Sequence, residues 1–284
     1  VSEEYFNWGN INLKYDIWSV TKSYISTLIG QAIDQGLMNN QYSALSTFFP
    51  EHNYDYLSLI SLENLLTMSS GYYDMYTYPT WITVSPNDLF AMWFMYPGLF
   101  SYNNSACHIN SHLLYETTGF APKEFASVHL FPYLGFNDPV WLDGYNNIND
   151  GSSSLELTLR EMIKLGQLYI QDGYSGETQI LSSDWISQAT TMQIETGLGV
   201  LGGYGYLWWL PDIGYLAYGF GGQFIAVIPE LNLVIGTNSQ SNGDTFYIML
   251  LLNIIYNDIL PIFDLEGMMD DVNINFEMLP NKLR

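Results

Sequence analysis

Ser19-Val20-Thr21-Lys22 sets a hydroxyl and an amine three residues apart. On a helix that spacing turns both side chains to one face, within reach of each other. They would then be a nucleophile and its base. A serine at a helix N-terminus gains from the macrodipole, and its own N–H is left over to meet a developing oxyanion. A partly buried lysine beside it can take the hydroxyl proton. The bland alternative makes Ser19 an ordinary N-cap, because a Ser three residues before a Lys is a common coincidence. Scarcity sets this pair apart: of the five lysines only Lys22 has a serine at that spacing.

Other chemistry-bearing residues are weaker. His108 and His112 are four apart, a metal-ligand spacing, but no Glu accompanies His108 as in metalloprotease helices. A partly exposed helix face is the preferred reading, and no metal or cofactor is expected. Acidic residues are too scattered to nominate a carboxylate pair, and the glycines form no phosphate-binding loop after a strand. Cys107 is the single cysteine, so no intrachain disulfide can form and a thiol nucleophile is disfavoured. Trp208-Trp209 reads as core rather than a cofactor box.

The charge balance narrows the partners. Twenty-nine Asp and Glu face only 7 Lys and Arg, for a formal charge of -22. Such a field disfavours nucleic acid and anionic membrane and repels anionic substrates at long range, while a saline habitat or biased codon usage gives the same balance with no bearing on function. No apolar run reaches the roughly 18 residues that span a bilayer. The start carries no signal-peptide pattern, and the sequence assigns neither a compartment nor an oligomeric state. With 48% hydrophobic residues in 284, the chain can bury one large domain or two lobes sharing a core.

Several elements must position Ser19 and Lys22. Tyr24, Leu28, Ala32 and Ile33 fall at helical spacing between Val20 and Gln35, with Gly36 as the stop, so Ser19 is expected at a helix N-terminus. Further helices are predicted over 62–68, 86–95, 105–117, 122–130, 183–190 and 245–260. A Thr158 to Glu161 capping box opens another. From about Gly197 the texture changes to short strands, predicted over 204–210, 215–218, 224–228 and 233–237. Pro229 to Asn232 is the expected hairpin connection. The expected fold is α/β of the α+β type: an antiparallel sheet flanked by helices, with an inserted, mostly helical lobe. The sheet lobe takes about 1–36 and 197–260, the helical lobe about 37–196, and 261–284 is a polar tail. The cleft belongs where the lobes meet.

The residues around the pair are also recognisable. Asp16-Ile17-Trp18-Ser19-Val20-Thr21-Lys22-Ser23 strongly resembles the nucleophile motif of the serine β-lactamase and DD-peptidase superfamily, with class C β-lactamases and their esterase-like relatives the most similar branch. The likeness continues through Leu65 to Gly71, Ser101 to Asn104, Leu165 to Tyr169, Gly205 to Trp209 and Gly219 to Phe224. It covers nearly the whole chain to about Leu260.

The resemblance implies a β-lactamase/transpeptidase-like fold and assigns roles. Of two Tyr-x-Asn candidates, Tyr102 with Asn104 is preferred over Tyr145 with Asn147, because Tyr102 leads directly into a helix. Tyr102 would share proton traffic with Lys22, returning a proton to the leaving group and later activating water. Asn104 would bond the lysine or the substrate, while also able to serve as the helix N-cap. The third motif ordinarily carries a Lys or His and two small residues on an edge strand facing the nucleophile. Here it reads Phe220-Gly221-Gly222-Gln223. The two glycines would admit substrate backbone, and the N–H of Gln223 would complete an oxyanion hole with that of Ser19.

Phe220 removes the group that would greet a substrate carboxylate. The expected activity is therefore a serine acyl hydrolase, esterase-like, opening a small-molecule ester or amide through an acyl-enzyme on Ser19. The alternatives are a β-lactamase or penicillin-binding DD-peptidase, and a catalytically weak or silent binding member of the superfamily. Only 18 residues precede Ser19, where the resemblance implies a helix and the first sheet strands, so the N-terminus is expected to be incomplete.

Overall fold

Ser26 to Ala32 carries no charged side chain, and the helix Thr21–Asp34 is buried on every side from Thr21 through Ala32. A helix apolar or small all round sits inside a protein rather than on it. It forms the axis of the molecule, packed on the helices Asn104–Thr118 and Pro122–His129. Gly30 leaves the space that the Trp185 ring fills, since a Cβ there would stand 2.5 Å from it. The computed structural model describes residues 2–7, 9–73, 79–91, 95–240 and 246–263.

Beside this axis runs a six-stranded antiparallel sheet in the order Leu233–Thr237, Phe224–Ile228, Tyr215–Tyr218, Trp209–Leu210, Gly203–Tyr204, Ile194–Glu195. The three long strands are those the alternation predicts, and Asn232, left-handed at φ 48°, closes the Pro229–Leu231 turn between two of them. Ile225 and Val227 face the helix Leu159–Ile170, whose Gly166 has no room for a Cβ between them and Val234. Ala226 and Ile228, on the opposite face, meet Leu252 and Ile255 of the C-terminal helical segment. Helices therefore flank both faces of an antiparallel sheet, as in the expected fold class.

Some boundaries differ from the sequence pattern. The single strand predicted over 204–210 is two strands, Gly203–Tyr204 and Trp209–Leu210. Between them the chain leaves the sheet: Leu207 is left-handed at φ 61°, and its N–H donates to Leu66 O at 2.9 Å. Two elements inside 37–196, the Leu159–Ile170 helix and the Ile194–Glu195 strand, belong with the sheet rather than with the helical lobe. The helix predicted over 86–95 is Pro86–Phe90, and 92–94 lie outside the described residues. The C-terminal helix is Phe246–Ile254, followed by a π-helical turn Ile255–Ile259. Position 245 and the tail from 264 lie outside the described residues as well.

A separate three-stranded sheet orders Tyr15–Asp16, Leu155–Leu157 and Val140–Trp141, with the middle strand antiparallel to both neighbours. It brings the segment just before Ser19 against the segment just after Ser154.

Candidate active site

Ser19 sits in a 3-10 turn, Trp18–Val20, that runs straight into the Thr21–Asp34 helix. Trp18 before it is left-handed, at φ 48°. A non-glycine residue there costs on the order of 1 kcal/mol, so something must hold it. Asp16 does so from below, its Oδ1 accepting the Trp18 N–H at 2.7 Å. The Trp18 ring also packs on Phe220, centroids 5.6 Å apart. The turn leaves the Ser19 N–H without a hydrogen-bond partner among the described residues.

Lys22 follows one turn later and is 1% exposed. Its Nζ lies 2.8 Å from Ser19 Oγ, 2.8 Å from Asn104 Oδ1 and 2.8 Å from the carbonyl oxygen of Ser152. The last two can only accept, so they hold two of the amine's protons. The third direction points at a hydroxyl, which can accept from an ammonium or donate to a neutral amine. The arrangement thus supports proton transfer between Ser19 and Lys22 with no movement of Nζ.

Asn104 reaches Lys22 because it is the first residue of the Asn104–Thr118 helix and not its cap. The capping expected of Asn104 falls instead to Asn103, whose Oδ1 accepts the Ala106 N–H at 2.7 Å and whose Nδ2 donates to Tyr72 O at 2.9 Å. Adjacent asparagines divide the work, one closing the helix and the other facing the lysine. Tyr102 meets Lys22 through its ring, the centroid 5.0 Å from Nζ, a cation–π distance. Its hydroxyl is not among the three groups bonded to Nζ. Tyr145 and Asn147 fall in a short 3-10 turn closed by the Asp143–Asn149 bridge, and neither bonds to Lys22.

The third segment corrects one expectation. Residues 219–223 form the hairpin turn between Tyr215–Tyr218 and Phe224–Ile228, both interior strands, so the segment is not on a sheet edge. Gly222 is left-handed at φ 90°, and its N–H donates to Gly219 O at 3.0 Å. Gln223 spends its side chain inside the turn: Oε1 accepts the Gly221 N–H at 3.0 Å and Nε2 donates to Ser239 O at 2.7 Å. Gly219 and Phe220 lie against the turn that carries the nucleophile, Phe220 through its ring on Trp18. A Cβ on Gly219 would stand 2.6 Å from Ile17 O.

The histidines lie elsewhere than expected. His108 and His112 are completely buried, ring centroids 4.8 Å apart, and not on a partly exposed face. Burial pushes the His108 imidazole down to about 3 and that of His112 well below the usual histidine range, so both are neutral at pH 7. Among the described residues no cluster of three or more His, Cys, Asp or Glu gathers around them.

Two polar residues that sequence reasoning missed join the site through backbone. Asp16 Oδ1 accepts the Ser154 N–H at 2.9 Å as well as that of Trp18. Ser152 supplies the carbonyl that binds Lys22. Asp16 opens the nucleophile motif without a role of its own in the sequence reading, and the only signal at Ser152 is the run Ser152-Ser153-Ser154 after Asp150-Gly151.

The Beta-lactamase family model matches residues 10–249. The chain belongs to the Beta-lactamase family. No curated protein sequence matches it. Among solved structures, the chain is similar to a protein described as a 6-aminohexanoate-dimer hydrolase from Bacillus anthracis, at 21% identity and a TM-score of 0.78 over 93% of this chain and 76% of that one. A class C β-lactamase from Rhodobacter sphaeroides aligns at 13% identity and TM-score 0.62, covering 86% of this chain and 87% of that one. The octameric penicillin-binding protein homologue from Pyrococcus abyssi aligns at 18% and 0.67, covering 87% and 67%. At these identities the likeness is one of fold, and the Beta-lactamase family fold is the one the sequence resemblance implies.

Proposed function

We propose that this member of the Beta-lactamase family is a serine acyl hydrolase that opens neutral esters or amides through an acyl-enzyme on Ser19. The observation that carries the reading is the buried Lys22 amine held by two obligate acceptors with its third direction on Ser19 Oγ.

Ser19 Oγ attacks the carbonyl carbon while its proton passes to the Nζ lone pair. The oxygen that gains charge is received by the Ser19 N–H. Its second donor in this proposal is the Phe220 N–H, because Gly219 and Phe220 lie against the Ile17–Ser19 turn. Collapse breaks the acyl bond, and the leaving group takes the proton carried by Lys22, with Tyr102 as the second proton carrier. Water then attacks the ester on Ser19, gives its proton to the same pair and frees the acid.

The substrate class follows from what flanks the nucleophile. Phe220 is 41% exposed beside Trp18, so apolar ring surface lies where a cation would hold a carboxylate. A net charge of -22 opposes anions further out. Both favour a neutral acyl donor over a β-lactam or a peptidoglycan peptide, whose carboxylates would have no cationic partner there.

The test is hydrolysis of p-nitrophenyl butyrate with fluorophosphonate labelling mapped by peptide mass. Wild type should turn over the ester and carry the label on Ser19, and Ser19→Ala should do neither. Undiminished turnover by Ser19→Ala would refute the acyl-enzyme. A folded wild-type protein that takes no label would point instead to a silent binding member of the family.

A further inference from the structure

The Ser152 carbonyl that orients Lys22 is itself held by a buried carboxylate. Asp150 is 0% exposed, and its four side-chain hydrogen bonds come from the next few residues of the chain. Oδ1 accepts from Ser152 N at 2.9 Å and from Ser152 Oγ at 2.8 Å. Oδ2 accepts from Ser153 Oγ at 2.6 Å and from Ser154 Oγ at 3.4 Å. The direction of the Ser152 hydroxyl is fixed from outside, because Trp81 Nε1 donates to it at 2.9 Å and leaves its own proton for Asp150. Burial pushes the Asp150 carboxyl up from the usual carboxylate range, and the donors from Ser153 and Ser152, with the charge of Lys22, pull it back toward the ionised form.

The far end of this run is tied to the nucleophile. Ser154 N–H goes to Asp16, which also holds Trp18 in the conformation that presents Ser19. A continuous chain of hydrogen bonds thus runs from Asp150 through Ser152 to Lys22, and from Ser154 through Asp16 to the Ser19 turn. The charges around Asp150 make this more than scaffolding. From the Asn104–Thr118 helix it faces His108, whose Nδ1 is 3.7 Å away, and Cys107. Burial keeps that imidazole neutral and pushes the Cys107 thiol up to about 12. From the strand before Ser19 it faces Asp16, an acid. The cation acting on it is Lys22.

We propose that Asp150 is a positioning residue for the Ser19–Lys22 pair: it fixes the Ser152 carbonyl that orients Nζ and sets a buried negative charge behind it. The proposal rests on the acyl-enzyme reading above. Removing the carboxylate takes away its Coulombic coupling to Lys22, which should change the pH dependence of the reaction, while the loosened carbonyl should slow the chemical step.

The experiment compares wild type, Asp150→Asn and Asp150→Glu for p-nitrophenyl butyrate hydrolysis and fluorophosphonate labelling across pH, with Asp16→Asn as the control for the other acid. For folded Asp150→Asn, kcat should fall about 10-fold with KM nearly unchanged, and the acid limb of kcat/KM should move by about one pH unit. Asp150→Glu should keep the limb in place while lowering the plateau. A purely structural role would lower activity equally at every pH. An Asp150→Asn variant with the wild-type limb overturns the proposal. If Asp150→Asn does not fold, Ser153→Ala decides: losing the 2.6 Å donor should lower kcat with KM unchanged, and a wild-type kcat overturns the proposal. If wild type takes no label, the acyl-enzyme reading falls and the proposal with it; if wild type labels and the variants match it, only the proposal falls.

Discussion

Trp209 lies flat against Tyr102, ring centroids 5.6 Å apart and planes 14° from parallel, while Lys22 Nζ sits 5.0 Å from the Tyr102 centroid. Trp209 is itself boxed in edge-on by Tyr204 and Phe100. The tyrosine ring is therefore held from outside the site, and its two contributions, a π-face near the Lys22 amine and a hydroxyl, can be separated. Tyr102→Phe keeps the ring and should leave fluorophosphonate labelling of Ser19 within a few-fold of wild type. Turnover should fall by about 100-fold if the hydroxyl carries protons for the leaving group and for water. Equal turnover by the two proteins would remove the hydroxyl from the mechanism and leave Tyr102 a purely packing role.

Asn104 tests the orientation of the base. Its Oδ1 and the Ser152 carbonyl are the two groups that aim the Nζ lone pair at Ser19. Asn104→Leu, similar in volume but without an acceptor, is expected to lower kcat for p-nitrophenyl butyrate by about 10- to 100-fold, and Lys22→Met to abolish labelling. The second result is the control, since it removes the base outright. Labelling of Lys22→Met at the wild-type rate would assign proton acceptance elsewhere.

Legibility followed sequence distance. The Ser19–Lys22 pair is one helical turn and could be read directly, and the strands Tyr215–Tyr218, Phe224–Ile228 and Leu233–Thr237 announced themselves by alternation. Asn104 came from the family resemblance, not from spacing. Ser152 was invisible because it acts through a carbonyl, which every residue has; only the fold decides which one meets a lysine 130 positions away. The contact made by the third segment was invisible for a related reason. Glycines in a row mark a turn but not which side of it faces a distant helix, and the contact of Gly219 with Ile17 is a matter of tertiary packing. His108 and His112 were misplaced outward because a helix buried on nearly all sides can carry polar residues on a face that periodicity reads as exposed.

Asp16 should give the protein a pH-dependent stability. Burial pushes its carboxyl up to about 6, against the two N–H bonds and with help from the nearby Asp150 and Glu156. A carboxyl whose folded value lies above its unfolded one, about 4, favours the fold fully below pH 4, and that advantage is lost as pH rises through 6. At about 1.4 kcal/mol per pH unit the loss is roughly 3 kcal/mol. Asp16→Asn retains an acceptor for Trp18 and Ser154 and is expected to be more stable than wild type above pH 7 and no more stable at pH 4. Urea midpoints at the two pH values check this, and a wild type equally ahead at both would contradict it.

Gly219 is expected to admit no side chain. Its Cα faces Ile17 O so closely that a Cβ would stand 2.6 Å from it, and the same Cβ would meet Gln223 Oε1 at 2.8 Å. Backbone cannot rotate away, so Gly219→Ala must push the hairpin off the Ser19 turn. Overpacking of this kind costs about 1–3 kcal/mol. The distinctive outcome is a larger loss in activity than in stability, because Phe220 N–H moves with the turn. Chemical denaturation and ester turnover measured on the same preparation separate the two.

The last expectation concerns choice of substrate. Phe220 packs on Trp18 and is 41% exposed. An acyl chain longer than acetyl can cover that ring, and each methylene buried is worth about 0.8 kcal/mol. Two methylenes from acetate to butyrate should therefore raise kcat/KM by about 10-fold, and Phe220→Ala should flatten the difference by lowering the butyrate value alone. Succinyl esters, anionic at the far end, should be poor substrates that improve with added salt, as screening weakens the protein's field. Phe220→Lys should reverse the order, favouring the succinyl ester at low salt. A preference for acetate, or for the anionic ester in the wild type, would place the acyl group on another wall of the cleft.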